Sequence, residues 1–148
     1  MVEVTRHFTA SVFIVHEGRV LLHEHKKLEL ILPPGGHIDR DELPEETAMR
    51  EVKEECGVEV ELYNSNQLEF VDGSFELNRG EHLNRHKINE FHEHLDFVFY
   101  GKALSSEVKP GRGESKKWVW MTKEEIESSS FVKDNVKFYA LEALEKLS

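Results

Sequence analysis

The stretch that decides the fold runs from Gly36 to Val58 and reads GHIDRDELPEETAMREVKEECGV. Its middle, Leu43 to Cys56, predicts a helix. Pro44 has its φ preset and lacks an amide hydrogen that the first turn would leave unpaired, while Glu45 and Glu46 suit the positive end of the helix dipole. Gly57 then ends the helix. Ala48, Met49, Val52 and Cys56 recur at three- and four-residue spacing and form an apolar stripe that predicts docking against a core. Glu51, Glu54 and Glu55 stand at i, i+3 and i+4, which gathers three carboxylates on one side of the helix. Each like-charged pair costs about 0.2–0.5 kcal/mol, more when partly covered, and Arg50 can neutralise only part of that charge. A cation belongs there. Hard carboxylate oxygens suit Mg²⁺ or Mn²⁺, an ion that keeps waters and completes its octahedron with substrate phosphate oxygens. A plain solvated acidic face is the alternative for any Glu-Glu pair on a helix, but Gly36, Glu42, Arg50 and Gly57 stand in register with these acids and weigh against it.

Just upstream, Pro33, Pro34, Gly35 and Gly36 close an apolar run, Leu28 to Leu32, with a kinked backbone poor in side chains. Backbone can approach an ion there, because glycine tolerates the φ values of such a turn and its carbonyl is a hard ligand. A tight strand-to-loop turn is the simpler reading of these four residues alone.

Taken together, the fixed positions Gly36, Glu42, Arg50, Glu51, Val52, Glu54, Glu55, Gly57 and Val58 follow one pattern: Gly, five residues, Glu, seven residues, Arg-Glu-aliphatic, one residue, Glu-Glu, one residue, Gly-aliphatic. At roughly 5–7% usage per fixed position, a chance match has a probability below about one in a million. The chain resembles the Nudix hydrolases. The resemblance implies a Nudix fold, an α/β/α sandwich with a mixed β-sheet between the box helix and a C-terminal helix. It implies a metal-dependent pyrophosphohydrolase in which water attacks the diphosphate linkage of a nucleoside diphosphate joined to a group X. Mg²⁺ or Mn²⁺ would be held by Glu51, Glu54, Glu55 and the carbonyl of Gly35. Glu51 and Glu54 would be catalytic, Arg50 would orient the carboxylates, and Gly36, Glu42 and Gly57 would be structural. The general base is a box glutamate or an acid from another loop. Glu114 is the outside candidate for metal ligand or base, since many relatives place an acid shortly before a residue comparable to Trp118; Glu90 and Glu93 are alternatives.

Substrate is less determined. The marker Pro or Tyr that some subfamilies carry beyond the box, associated with ADP-ribose and dinucleoside polyphosphates, is missing from the region of Gly73 to Glu76, as is the upstream pattern linked to coenzyme A. A nucleoside triphosphate, including a damaged one, is therefore the expected substrate, with ADP-ribose, nucleotide sugars and dinucleoside polyphosphates as alternatives. A noncatalytic nucleotide sensor is the alternative class, although the acidic positions it would be expected to lose are intact. An interaction module with a fortuitous box is remote.

The remaining sequence bounds these readings. At 148 residues and 39% hydrophobic content the chain is expected to form one domain, residues 1–148. A net charge of −10 argues against gripping long nucleic acid and favours a small nucleotide, with a divalent ion reversing the local charge. No leader or membrane span is read from the sequence, so a cytoplasmic protein is expected, and a homodimer is one assembly open to it because many relatives are dimers. The single Cys56, on the apolar stripe, reads as a buried core thiol rather than a nucleophile.

Phe8 to Val15 and Arg19 to Glu24 predict a hairpin turning at Glu17-Gly18, and Leu28 to Leu32 a third strand. Further strands are expected over Gln67 to Val71, Leu95 to Leu104 and Lys117 to Met121. Thr122 and Glu125 form a capping box for a short helix, and Asp134 is a second cap. Val136, Ala140, Ala143, Leu144 and Leu147 share a face that should pack a C-terminal helix on the sheet opposite the box helix. The polar stretch from Asp72 to His94 reads as a binding loop or lid. Its histidines His82, His86, His92 and His94 invite a transition-metal reading, yet no cysteine accompanies them and their spacing matches no zinc pattern. His92 and His94 would point the same way if extended. Trp118 and Trp120 should share a face, packing in the core or stacking a base. Arg6, Lys26 and Lys27 are candidate phosphate contacts, or ordinary solvated charges.

Overall fold

The computed structural model describes residues 3–25, 28–64 and 68–148. Strand β1 (Thr5–His16) and strand β2 (Arg19–Glu24) form the opening hairpin, and Glu17 and Gly18 between them adopt φ values of 47° and 74°. Two successive positive φ values match the twist of a tight hairpin turn, and glycine takes one at no steric cost. There follow β3 (Ile31–Leu32), β4 (Gly35–His37), helix α1 (Pro44–Glu55), β5 (Val60–Leu62), β6 (Leu68–Glu69), β7 (Phe75–Glu76), β8 (His82–Asn89), β9 (His92–Ala103), β10 (Trp118–Thr122), α2 (Lys123–Ser128) and α3 (Asp134–Leu147).

The main sheet is organised around β1. Almost its whole length pairs in parallel with β9, from Thr5 opposite His92 to Val15 opposite Lys102. Its other edge is shared by β2 and, nearer the N-terminus, β4, with Thr9 opposite His37 and Ser11 opposite Gly35. β10 and β3 pair with β2, while β5 and β8 pair with β9. The sheet is mixed. Because side chains alternate along a strand, β1 feeds two cores. Ala10, Val12 and Ile14 join Leu21 and Phe99 against Ala48, Val52 and Cys56 at α1, while Phe13 and Val15 join Val98 and Tyr100 against Val136, Ala140, Ala143 and Leu144 of α3. Each fully buried side chain of the size of Val, Leu or Phe contributes about 1.5–3 kcal/mol. The result is the expected α/β/α sandwich.

Several details differ from the sequence reading. The stretch from Asp72 to His94 is not a lid: most of it is β7, β8 and the start of β9, and β8 and β9 form an antiparallel hairpin with His86 opposite His94. Its polarity concealed a strand because its charges pair across the sheet instead of facing solvent alone. Buried Glu93 accepts from Arg6 on β1 and from Arg85 on β8, at 2.9 Å each. Met49 is 41% exposed, and buried Thr47 takes a place in the helix's inner face. The third strand shortens to Ile31–Leu32, the last strands shift by a residue or more, and Asp134 lies in the first turn of α3, with Lys133 as the N-cap. Among the described residues, the expected strand at Gln67 to Val71 is the short β6; Gln67 itself lies outside them. The Thr122 capping box and the opening hairpin form as read.

Candidate active site

Helix α1 docks through Ala48, Val52 and Cys56, all essentially buried, and this turns its acidic side toward the glycine turn that β4 forms against β1. Arg50 organises that side. Its Nε and Nη2 donate to the two oxygens of Glu42 at 2.7 and 2.9 Å, and its Nη1 donates to Glu51 at 2.9 Å and Glu54 at 3.3 Å. Nη2 also reaches the carbonyl of His37 at 3.3 Å. A bidentate guanidinium–carboxylate pair fixes direction as well as distance. Glu42 is further held by the Thr47 hydroxyl and the Asp39 N–H, so the Arg50 hydrogen bond, aided by these partners, pulls its carboxyl down to about 2.

Two glycines make room for the acids. A Cβ on Gly36 would stand 2.6 Å from the Glu51 carboxyl carbon and closer still to Oε1, so any other residue would displace that carboxylate. Gly57 ends α1 at φ 65°, and a Cβ there would meet the Lys109 carbonyl at 2.5 Å. That close approach docks the loop carrying Glu114 onto the helix end, with Lys109 N–H on the Cys56 carbonyl at 2.6 Å and Gly111 N–H on the Glu54 carbonyl at 3.0 Å. Glu114 N–H in turn donates to the Gly111 carbonyl at 3.1 Å. Glu114 is thereby close enough to Glu55 to influence its ionisation.

The donor set fits a hard divalent cation. Burial pushes the Glu55 carboxyl up to about 9, with Glu51 and Glu114 adding to the rise and the Gly35 N–H, 3.4 Å from Oε1, opposing it. Burial and neighbouring acids thus oppose ionisation of this carboxyl, and a divalent cation would favour it. Its atoms are oxygens only, which suits Mg²⁺ or Mn²⁺ rather than a softer ion.

Other predicted residues fall elsewhere. Arg6 is committed to Glu93. Trp118 and Trp120 share a side as expected, but pack partly buried against the α1-side core; Trp118 stacks on His23 with centroids 4.3 Å apart and donates to the Ser115 carbonyl. Glu93 faces two arginines, and Glu90 lies in the β8–β9 turn. Lys26 and Lys27 lie outside the described residues. Cys56 is buried, its thiol pushed up to about 11 by burial.

On the opposite face of the sheet a groove of about 580 Å³ is lined by Ser11, Leu30, Leu32, Pro33, Asn84 and Asp96, among others. It adjoins the glycine turn, since Pro33 precedes it and a Cβ on Gly35 would touch Ser11. Sequence reasoning missed Asp96 and Asn84. Asp96 is a lone acid in an otherwise apolar strand segment; burial raises its carboxyl above the usual range while Thr9 and Ser11 hydroxyls donate to it at 2.9 and 2.6 Å. That single charge between Leu95 and Phe97 was the available signal.

Comparison with known proteins agrees with this geometry. The NUDIX domain model matches residues 5–141. The crystal structure of a NUDIX-family hydrolase from Clostridium perfringens is 40% identical, with a TM-score of 0.86, over 98% of this chain and 100% of that one. A MutT NUDIX hydrolase from Burkholderia pseudomallei shares the fold at 19% identity and TM-score 0.68, over 97% and 99% of the two chains. An ADP-ribose pyrophosphatase from Streptococcus suis does so at 20% and 0.62, over 96% and 92%. No curated protein matches the chain significantly. The chain belongs to the Nudix family and is a hydrolase acting on phosphoric anhydride bonds. Enzymes of this family generally use divalent cations and act on small nucleotide substrates. Among the described residues no helix is long and apolar enough to cross a membrane.

Proposed function

We propose that the protein is a Mg²⁺- or Mn²⁺-dependent pyrophosphohydrolase of nucleoside triphosphates, releasing a nucleoside monophosphate. The observation that carries this reading is the oxygen-only cluster of Glu51, Glu54 and Glu55 beside the glycine turn, accompanied on the other face of the sheet by a groove that sets Leu30, Leu32 and Pro33 among polar and cationic side chains such as Asn84, Arg85 and Lys133. The cluster suits a metal-bridged polyphosphate, and the groove suits a base. A divalent ion held there supplies positive charge to the phosphate oxygens and activation of the attacking water.

The chain's own residues have distinct tasks. Glu51, Glu54 and Glu55, with the Gly35 carbonyl, hold the ion, and Glu114 completes the set or accepts the proton of the attacking water. Arg50 acts through Glu42 on the geometry of Glu51 and Glu54. Gly36 leaves space for the Glu51 carboxylate, and Gly57 for the loop that brings Glu114. Asn84 and the Asp96 carboxyl offer hydrogen bonds to a base, while Leu30 and Leu32 cover its faces.

The test is to incubate the full chain with Mg²⁺ or Mn²⁺ and a panel of normal and oxidised triphosphates, ADP-ribose, nucleotide sugars and dinucleoside polyphosphates, and to resolve products by chromatography. Monophosphate released from triphosphates alone is the expected result. Cleavage confined to ADP-ribose or nucleotide sugars would replace the substrate class. Binding without metal-dependent cleavage would make the chain a sensor.

A further inference from the structure

Four imidazoles meet at the N-terminal end of the β1–β9 pair. His7 lies on β1, His37 on β4, and His92 and His94 on β9, and one ligand atom of each falls within 4.8 Å of all the others. Strand register brings them together. His7 is opposite His94, His92 is opposite Thr5, and His37 is opposite Thr9 on the other edge of β1, so the four stand on one face of the sheet. Glu93, between the two β9 histidines, points to the other face and is held by Arg6 and Arg85.

We propose that His7, His37, His92 and His94 form a second metal site, one that takes a borderline transition ion such as Zn²⁺ through four imidazole nitrogens and is separate from the carboxylate cluster of α1. The dimensions fit. Nitrogens around a tetrahedral Zn²⁺, at about 2.0–2.1 Å from the ion, stand roughly 3.3–3.4 Å apart. Here His37 Nε2 and His94 Nε2 are 3.2 Å apart, and His92 Nε2 and His7 Nδ1 are 2.8 Å apart. The other pairs lie within 4.8 Å, so an ion would draw the rings closer together.

The chemistry fits as well. Each of those two contacts requires one ring to donate and the other to accept, so each pair holds at least one neutral imidazole, and neutral imidazole is the ligand form. Nothing among these four side chains is a hard oxygen donor, so Mg²⁺ should avoid them, while imidazole suits Zn²⁺, Co²⁺, Ni²⁺ and Cu²⁺. His7 and His37 are exposed, giving an ion a way in, and strands fix the backbone of all four ligands before it arrives.

An ion here would tie β1, β4 and β9 together. His37 directly follows Gly36, and its carbonyl receives Arg50, so the tie would also steady the turn beside the acidic cluster. It would do so without contributing a ligand to that cluster.

The test strips the full chain with chelator and titrates it with Zn²⁺ alone, and with Co²⁺ alone, in the presence of excess Mg²⁺. One equivalent of tightly held Zn²⁺, and the visible absorption bands of four-coordinate Co²⁺, are expected for the natural sequence and for the double variant Glu51→Gln/Glu54→Gln. His7→Gln/His37→Gln should weaken Zn²⁺ binding by about 100-fold or more and remove the Co²⁺ bands. If circular dichroism shows that this histidine double variant does not fold, His37→Gln and His92→Gln singly provide the same comparison. The proposal is overturned if the natural sequence holds no Zn²⁺ under excess Mg²⁺, if the histidine variants bind it unchanged, or if the Glu51→Gln/Glu54→Gln double variant loses binding.

Discussion

The acidic side of α1 and the imidazole cluster at the end of β1 and β9 gather ligand atoms by opposite routes. On α1, three carboxylates within five residues are brought together by the pitch of one helix, at the cost of mutual repulsion that Arg50 relieves only in part. At the strand end, four rings from three strands are brought together by sheet register and meet in two ring-to-ring hydrogen bonds, each of which needs one ring to accept. A divalent cation in the first cluster would relieve the repulsion that Arg50 leaves. The second is already satisfied by ring-to-ring hydrogen bonds, so an ion there adds a tie rather than cancelling a penalty.

The largest effect expected from this contrast is on turnover. Glu54→Gln should reduce Mg²⁺-dependent hydrolysis by about 10²–10⁴-fold while circular dichroism shows an intact fold, because Glu54 lies on the half-exposed side of a helix anchored by Val52 and Ala48. Near-normal rates in steady-state assays would remove Glu54 from the chemistry. Glu114→Gln should cost less, about tenfold to 10²-fold, since a loop acid at the edge of the cluster is assisted by box carboxylates. A loss equal to that of Glu54→Gln, with the acidic limb of the pH–rate profile flattened, would make Glu114 the principal base.

Stability effects come next. Gly57→Ala forces a side chain into φ 65° and against the Lys109 carbonyl, and should destabilise the fold by about 1–3 kcal/mol in urea unfolding. A loss of hydrolysis exceeding the loss of folded protein would show that the Glu114 loop is positioned through this contact. The smallest effect is electrostatic. Glu42 is depressed from 4.5 to about 2 by Arg50, so its contribution to stability is fully present above the unfolded value and is lost as pH falls through the folded one. Glu42→Gln should therefore flatten the fall of melting temperature between about pH 4.5 and 2. Parallel curves for both proteins would show that the pair does not stabilise the fold.

Much was legible in the chain because its information is local. The box helix, its docking stripe, its glycine stop and its acidic triad lie within Leu43 to Gly57, and helix periodicity relates residues three and four apart whatever surrounds them. The opening hairpin and the Thr122 capping box are local for the same reason. The stretch Asp72 to His94 was misread because composition suggests solvent, whereas Glu93 is buried between arginines on two other strands, one of them far away in sequence. Trp118 was similarly ambiguous until His23 appeared against its ring.

Sequence alone determined the family pattern, the helix that carries it and the oxygen chemistry of its acids, since residue type and helical pitch suffice for these. Only the tertiary structure decided which face Asp96 and Asn84 line, how Glu114 comes to the end of α1, and that His7 and His37 join His92 and His94. Those juxtapositions depend on parallel pairing of β1 with β9 and on β4 crossing to the other edge of β1. Register between strands tens of residues apart is set by how both faces of the sheet pack, and no spacing along the chain records it.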